Sequence, residues 1–167
     1  MGLPCRECLV CVVDGDAACR SSLSAQLRAA GLTVCAFDSA EAFLESQEHT
    51  QADCLILELN LPGMGGLALQ RCLNQRQRAL PLIFMASSAD VASAVTALQN
   101  GAVDFLRKEA DCSPLVARVC RLVAAIRTGR AEPRRHPYAP SPEAGRQGRL
   151  APASRSTVCR SLPQHVE

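Results

Sequence analysis

At 167 residues, 48% apolar and 20% charged, the chain has room for one ordinary domain with a full core and something extra. Aromatic residues are only 3% and Trp is absent, so the core has to come from Leu, Val, Ala, Ile and Cys. No apolar run approaches the roughly 18 residues that span a bilayer, and MGLPCRECLVCVVDGD lacks the basic region and cleavage site of a secretory signal, so a cytoplasmic protein is expected.

In chain order, CLVCVV (8–13) reads as a strand buried on both faces and ended by Asp14-Gly15-Asp16. Ala17 to Ala30 reads as a helix, with Leu23 and Leu27 four apart and Gly31 as its stop. LTVCAF (32–37) is a second strand, and Ser39 caps a helix carrying Phe43 and Leu44 on one face. CLILEL (54–59) is a third strand, followed by a helix from Leu67 to Gln75, and PLIFMA (81–86) is a fourth strand. Asp90 starts a helix through Val91, Val95 and Leu98 that Asn100-Gly101 ends. AVDFL (102–106) is a fifth strand, and Ser113 to Ile126 a last helix with Leu115, Val119, Leu122 and Val123 inward.

Five strands alternating with five helices predict an α/β domain with a parallel sheet covered on both faces and right-handed crossovers. Ligands of such sheets sit beyond the carboxyl ends of the strands. Asp14, Asp16 and Glu58 follow strands there, as does Lys108, so they are expected to converge. Glu58 is the odd residue: a carboxylate ending a buried strand is costly unless a cation pairs with it or a reaction uses it.

The ten cysteines suggest thiols packed as small hydrophobes rather than a disulfide framework, because Cys11, Cys35 and Cys54 fall in strand-like runs and Cys72 and Cys120 on helical apolar faces. Cys5, Cys8 and Cys11 form a C-x-x-C-x-x-C run, but it lacks an evident fourth ligand and Cys11 is committed to a strand. Residues 1–127 hold 11 Lys+Arg against 13 Asp+Glu, and residues 128–167 hold 7 Arg against 3 Glu. The second segment also carries six of the ten Pro and no apolar periodicity, which predicts a disordered tail after a domain at 8–127, with 1–7 as a short leading tail.

Several motifs in order carry a resemblance: VVDGD, DSAEAFL, LELNLPGMGG and PLIFMASSADVASAVTALQNGAVDFLRK. Together they make residues 8–127 similar to the receiver domain of bacterial two-component response regulators, of the kind that usually precedes a helix-turn-helix domain. The resemblance implies a flavodoxin-like sheet of order 2-1-3-4-5. It also implies phosphoryl transfer from a histidine kinase to an aspartate ending the third strand, assisted by Mg²⁺.

Transferred residue by residue, the match is partial. Asp14 matches the first acid of the metal-binding pair, but Gly15 stands at the second and Asp16 is expected to point away. Glu58 occupies the phospho-acceptor position, Ala86 stands where a hydroxyl belongs, with Ser87 and Ser88 just beyond, Lys108 is retained, and Phe105 sits at the aromatic switch position. Glu109 replaces a cis proline, and since a cis bond there would cost about 2.5–4 kcal/mol, a trans peptide is predicted. Misplacing a reacting group by about 1 Å can cost on the order of a hundredfold. The expectation is therefore a degenerate receiver that signals by protein contact, not an enzyme. Its sole conceivable cofactor is Mg²⁺ on Asp14 and Glu58, weakened by Gly15. Glu58 is either a structural ion pair with Lys108, the preferred reading, or a mimic of the phosphorylated state.

The rival expectation is a working phospho-acceptor using Asp14, Glu58 and Lys108. The implied partners are a histidine kinase or another signalling protein. They would dock on the face made by Val91–Gln99, Val103–Leu106 and the last helix, which could also carry a dimer, although most of its apolar positions read as core. No membrane contact is expected. The Arg-rich tail could bind nucleic acid, but with Tyr138 as its lone aromatic it reads better as solvated linker, and its texture would also suit a truncated or frameshifted reading frame. His49, His136 and His165 have no neighbouring acid or thiol that suggests catalysis.

Overall fold

The structure is a computed structural model, in which residues 7–88 and 91–129 are described. Cys5, the predicted cap Asp90, His136, Tyr138, His165 and nearly all of the predicted disordered tail lie outside those residues. Five strands, β1 (Leu9–Val13), β2 (Thr33–Phe37), β3 (Cys54–Glu58), β4 (Leu82–Ala86) and β5 (Asp104–Arg107), form one sheet. Every neighbouring pair is parallel and the order is β2-β1-β3-β4-β5, as the sequence predicts. The helices are α1 (Ala17–Ala29), α2 (Ala40–Glu45), α3 (Glu48–Gln51), α4 (Gly66–Gln75), α5 (Val91–Gln99) and α6 (Ser113–Arg127).

The unbroken apolar runs have a simple cause: all five residues of β3 and of β4 are buried, because helices cover both faces of the sheet. Side chains alternate between those faces. Val10, Val12, Ile56, Ile83 and Met85 pack with Leu23 and Leu27 of α1 and with Leu115, Val119 and Val123 of α6. Cys11, Val13, Leu55, Leu57 and Phe84 pack the other way, with Ala40 and Phe43 of α2 and Leu69 and Leu73 of α4. The chain steps outward from β1 to β2 and then back across β1 to β3. With right-handed crossovers, that reversal puts α1 and α2 on opposite faces. It also makes the β1/β3 boundary the place where the strand ends open into a crevice.

Three expectations need correction. There are six helices among the described residues, not five, because Ser46 is extended (φ −73°, ψ 156°) and its hydroxyl donates to the Phe43 carbonyl at 2.7 Å. That local bond competes with the helical ladder, and a separate turn, α3, begins two residues later at Glu48. The fifth strand runs Asp104–Arg107 rather than 102–106. Val103 is already tied by its N–H to the Leu82 carbonyl at 2.7 Å, so pairing begins as the chain turns into the sheet. Finally, α5 is not a core helix: Val91 is 73% exposed and Val95 and Leu98 are each 46% exposed, while Ala97 faces inward. Its carbonyl at Ala97 accepts a bond from the buried Gln70 amide at 2.9 Å, which fixes which side of α5 meets α4.

Among the described residues no helix is long and apolar enough to cross a membrane.

Candidate functional site

Strand register sets up the site. Val13 lies beside Leu57, and Glu58 lies beside Met85, so Asp14 and Glu58 leave adjacent strands at the same level. The main chain of β4 reaches Lys108 directly, through the Lys108 N–H to the Ala86 carbonyl at 2.8 Å. Arg20 of α1 donates to the Asp14 carbonyl at 2.6 Å and holds the end of β1 in place.

Asp14, Glu58 and Lys108 meet. The Lys108 Nζ donates to Asp14 Oδ1 at 2.9 Å and to Glu58 Oε1 at 2.9 Å. It also lies 2.8 Å from Asp14 Oδ2, which receives no aligned hydrogen bond. Glu58 Oε2 accepts the Gly15 N–H at 3.0 Å, so both Glu58 oxygens are engaged. Asp14 is fully buried, and Lys108 and Glu58 side chains are 12% and 11% exposed.

Burial alone would raise the Asp14 pKa, but the bonds from Lys108 and from the Asp16 N–H outweigh it and hold the carboxyl below its usual range. Burial would likewise lower the Lys108 pKa, and the two carboxylates overcome that and raise it. The triad is therefore a charged one, with two anions sharing one cation.

Asp16 sits beside Asp14 but turns its side chain to the start of α1. Its carboxylate caps α1, accepting from Ala18 N at 2.8 Å and Cys19 N at 3.2 Å, while its own N–H donates to Asp14 Oδ1 at 2.8 Å. A helix start with four unpaired N–H groups captures the nearest acid. Ala86 is buried and offers the site no hydroxyl; Ser87 and Ser88 are exposed beyond it. The Phe105 ring is half-buried and stacked on Phe84, with centroids 6.1 Å apart. The peptide before Glu109 is trans.

Three contributors carry no recognisable sequence signal. Glu41 of α2 accepts the Met64 N–H at 2.8 Å and ties the β3–α4 loop to α2, next to Gly63 at φ +73°. Cys19, in the first turn of α1, lies near Asp14, and burial together with that carboxylate pushes its thiol up to about 11. Gly66 lets α4 approach the strand end: a Cβ there would stand 2.5 Å from the Glu58 carbonyl oxygen. Glu41 depends on a partner 23 residues away, and the other two on the packing of strand ends against helices, so no local pattern marks them.

Of candidate metal ligands, Asp14 and Glu58 are in place but both already face Lys108. Among the described residues no group of three or more His, Cys, Asp or Glu is placed to hold a metal ion.

A family model described as the response regulator receiver domain matches residues 10–120. The chain is similar to the DNA-binding transcriptional regulator NtrC of Escherichia coli (strain K12), 39% identical over 116 residues, covering 70% of this chain and 25% of that protein. It is also similar to the transcriptional regulatory protein FixJ of Bradyrhizobium diazoefficiens, 37% identical over 108 residues, 65% of this chain and 53% of that protein. Thus the chain matches about a quarter to half the length of these curated relatives. Among solved structures, a response regulator receiver protein from Pseudoalteromonas atlantica superposes with a TM-score of 0.65 at 32% identity, over 71% of this chain and 98% of that one.

Proposed function

Because the chain belongs to the response regulator receiver domain family of two-component signalling, we propose that it is a receiver that no longer depends on phosphorylation and acts by contact with other proteins. The observation that carries this reading is the Glu58 carboxylate, at the family's phospho-acceptor position, held on one oxygen by Lys108 and on the other by the Gly15 N–H. A carboxylate must present a bare lone pair to attack a phosphoryl group. Each Glu58 oxygen keeps a second lone pair, but attack would draw the carboxylate's charge out of a nearly buried ion triad, with Ala86 providing no hydroxyl to receive the product.

In this reading Glu58 is a structural counter-ion that keeps the carboxyl edge of the sheet closed. The domain is a binding module, not an enzyme, and works in the cytoplasm without a cofactor. Its contact surface is the α5–β5–α6 face. Val91, Val95 and Leu98 stand exposed there beside Phe105, around a groove of about 300 Å³. Surface aliphatics grouped on one helix face suit association with a histidine kinase, another signalling protein or a second copy.

The test is incubation of the full chain with a small-molecule phosphodonor and Mg²⁺, followed by intact mass. No adduct is expected. A stoichiometric, acid-labile phosphoryl adduct would overturn the reading in favour of a working phospho-acceptor at Glu58.

A further inference from the structure

We propose that the pocket at the carboxyl edge of the sheet is a metal-excluding site whose resident cation is the Lys108 ammonium, and that Gly15 and Glu58 act as a pair to make it so. The inference rests on the phosphorylation-independent reading and goes further, since it assigns the pocket a different ion.

The family implies Mg²⁺, and the residues present do not fit it. Mg²⁺ demands oxygen ligands in near-octahedral array at roughly 2.0–2.1 Å. Gly15 stands where a second acid would add an oxygen, and what it directs at the site is an N–H, the positive end of a peptide dipole. That N–H takes Glu58 Oε2 at 3.0 Å. The other three carboxylate oxygens, both of Asp14 and Oε1 of Glu58, lie 2.8–2.9 Å from one ammonium. Two of its donors are aligned on Asp14 Oδ1 and Glu58 Oε1, and Asp14 Oδ2 is held by charge alone. An incoming divalent ion would meet a fixed positive charge and a fixed positive dipole at the same oxygens, and would have to displace both.

The two departures from the family pattern are coupled in space. A Cβ at position 15 would stand 3.3 Å from Pro62 Cδ and 3.7 Å from Glu58 Oε2. At 3.7 Å such a Cβ would be in ordinary contact with Glu58 Oε2 and would not itself displace it. What glycine withholds is a second carboxylate, which would repel Glu58 Oε2 at this range.

Lys108→Met keeps a similar stem and removes the charge. It leaves the buried Asp14 and its neighbour Glu58 without a cation, so a divalent ion should take the vacated place. The experiment uses the ¹⁵N-labelled full chain with Mn²⁺ as a paramagnetic probe and Mg²⁺ in thermal denaturation. In the wild type, millimolar Mn²⁺ is expected to leave the Asp14, Gly15 and Leu59 amides sharp, and Mg²⁺ to leave the midpoint unmoved. Lys108→Met is expected to bind Mn²⁺ at least about tenfold more tightly and to gain a Mg²⁺-dependent rise in midpoint.

Selective broadening of those amides in the wild type at millimolar Mn²⁺ would overturn the proposal. That measurement needs the wild type alone, so it decides the matter even should the variant fail to fold. Broadening without a phosphoryl adduct sinks the metal exclusion and spares the functional reading. An adduct formed with sharp amides does the reverse.

Discussion

The main-chain N–H of Gly15 donates to Glu58 Oε2 across 3.0 Å, joining the β1–α1 turn to the end of β3. Gly15→Asp tests the relationship. A Cβ there meets Pro62 at 3.3 Å and brings a second carboxylate beside Glu58 Oε2. A loss of about 1–3 kcal/mol is expected in urea unfolding, with the m-value unchanged.

The triad should set the pH range of stability. The Asp14 pKa is lowered from 3.8, so its contribution is present above that value and disappears as pH falls through the lower folded-state value. The Lys108 pKa is raised from 10.5, so its contribution is complete below that value and disappears as pH rises through the higher folded-state value. Urea midpoints measured across pH should therefore fall off on both sides of that plateau. Lys108→Met should lower the plateau by about 3–5 kcal/mol, since it strands a buried anion, and should remove the alkaline limb.

Asp16→Ala separates a cap from a ligand. The Asp16 carboxylate bonds only α1 N–H groups among the contacts seen, at Ala18 and Cys19. The variant should lose about 1 kcal/mol of stability. The NMR shifts of Glu58 and the Lys108 side chain should stay in place, because the Asp16 contact to Asp14 runs through the main chain.

Gly66→Ala is expected to be far more damaging than its chemistry suggests. The added methyl group would stand 2.5 Å from the Glu58 carbonyl oxygen, 3.0 Å from the Phe84 ring and 3.1 Å from the Leu59 Cα, two of which are backbone atoms. About 3 kcal/mol or more should be lost in chemical denaturation, with α4 displaced from the strand end.

Val95→Asp addresses the contact face. Val95 is 46% exposed on a helix without a charged residue, so the change should leave stability within about 0.5 kcal/mol. Any self-association seen by sedimentation of the wild type should weaken in the variant. Undiminished association would move the contact surface away from α5.

Much of the fold was legible before the structure, for a physical reason. Strands buried on both faces must be continuously apolar, so β1, β3 and β4 stand out as LVCVV, CLILE and LIFMA. Helix starts follow from local competition for N–H groups, and Ser39 caps α2 as its side chain suggests. Elements governed by weaker or non-local terms were not legible. The break at Ser46 turned on one hydroxyl bond, and β5 began late because its pairing with Leu82 is decided by β4. The face of α5 was misread because Val, Ala and Leu suit a core and a contact surface equally well.

By itself the sequence determined which residues can stand at the carboxyl edge of a parallel sheet, because strand ends and turn residues are written locally in apolar runs and in Asp-Gly and Pro-Gly pairs. It also placed Gly15, Glu58 and Ala86 at those strand ends. Only the tertiary structure decided how they meet. Register at β1/β3 and the Lys108 bond to Ala86 bring three charges within 2.8–2.9 Å, and Glu41 ties the β3–α4 loop from 23 residues away in sequence. Such pairings depend on distances across strands rather than along the chain.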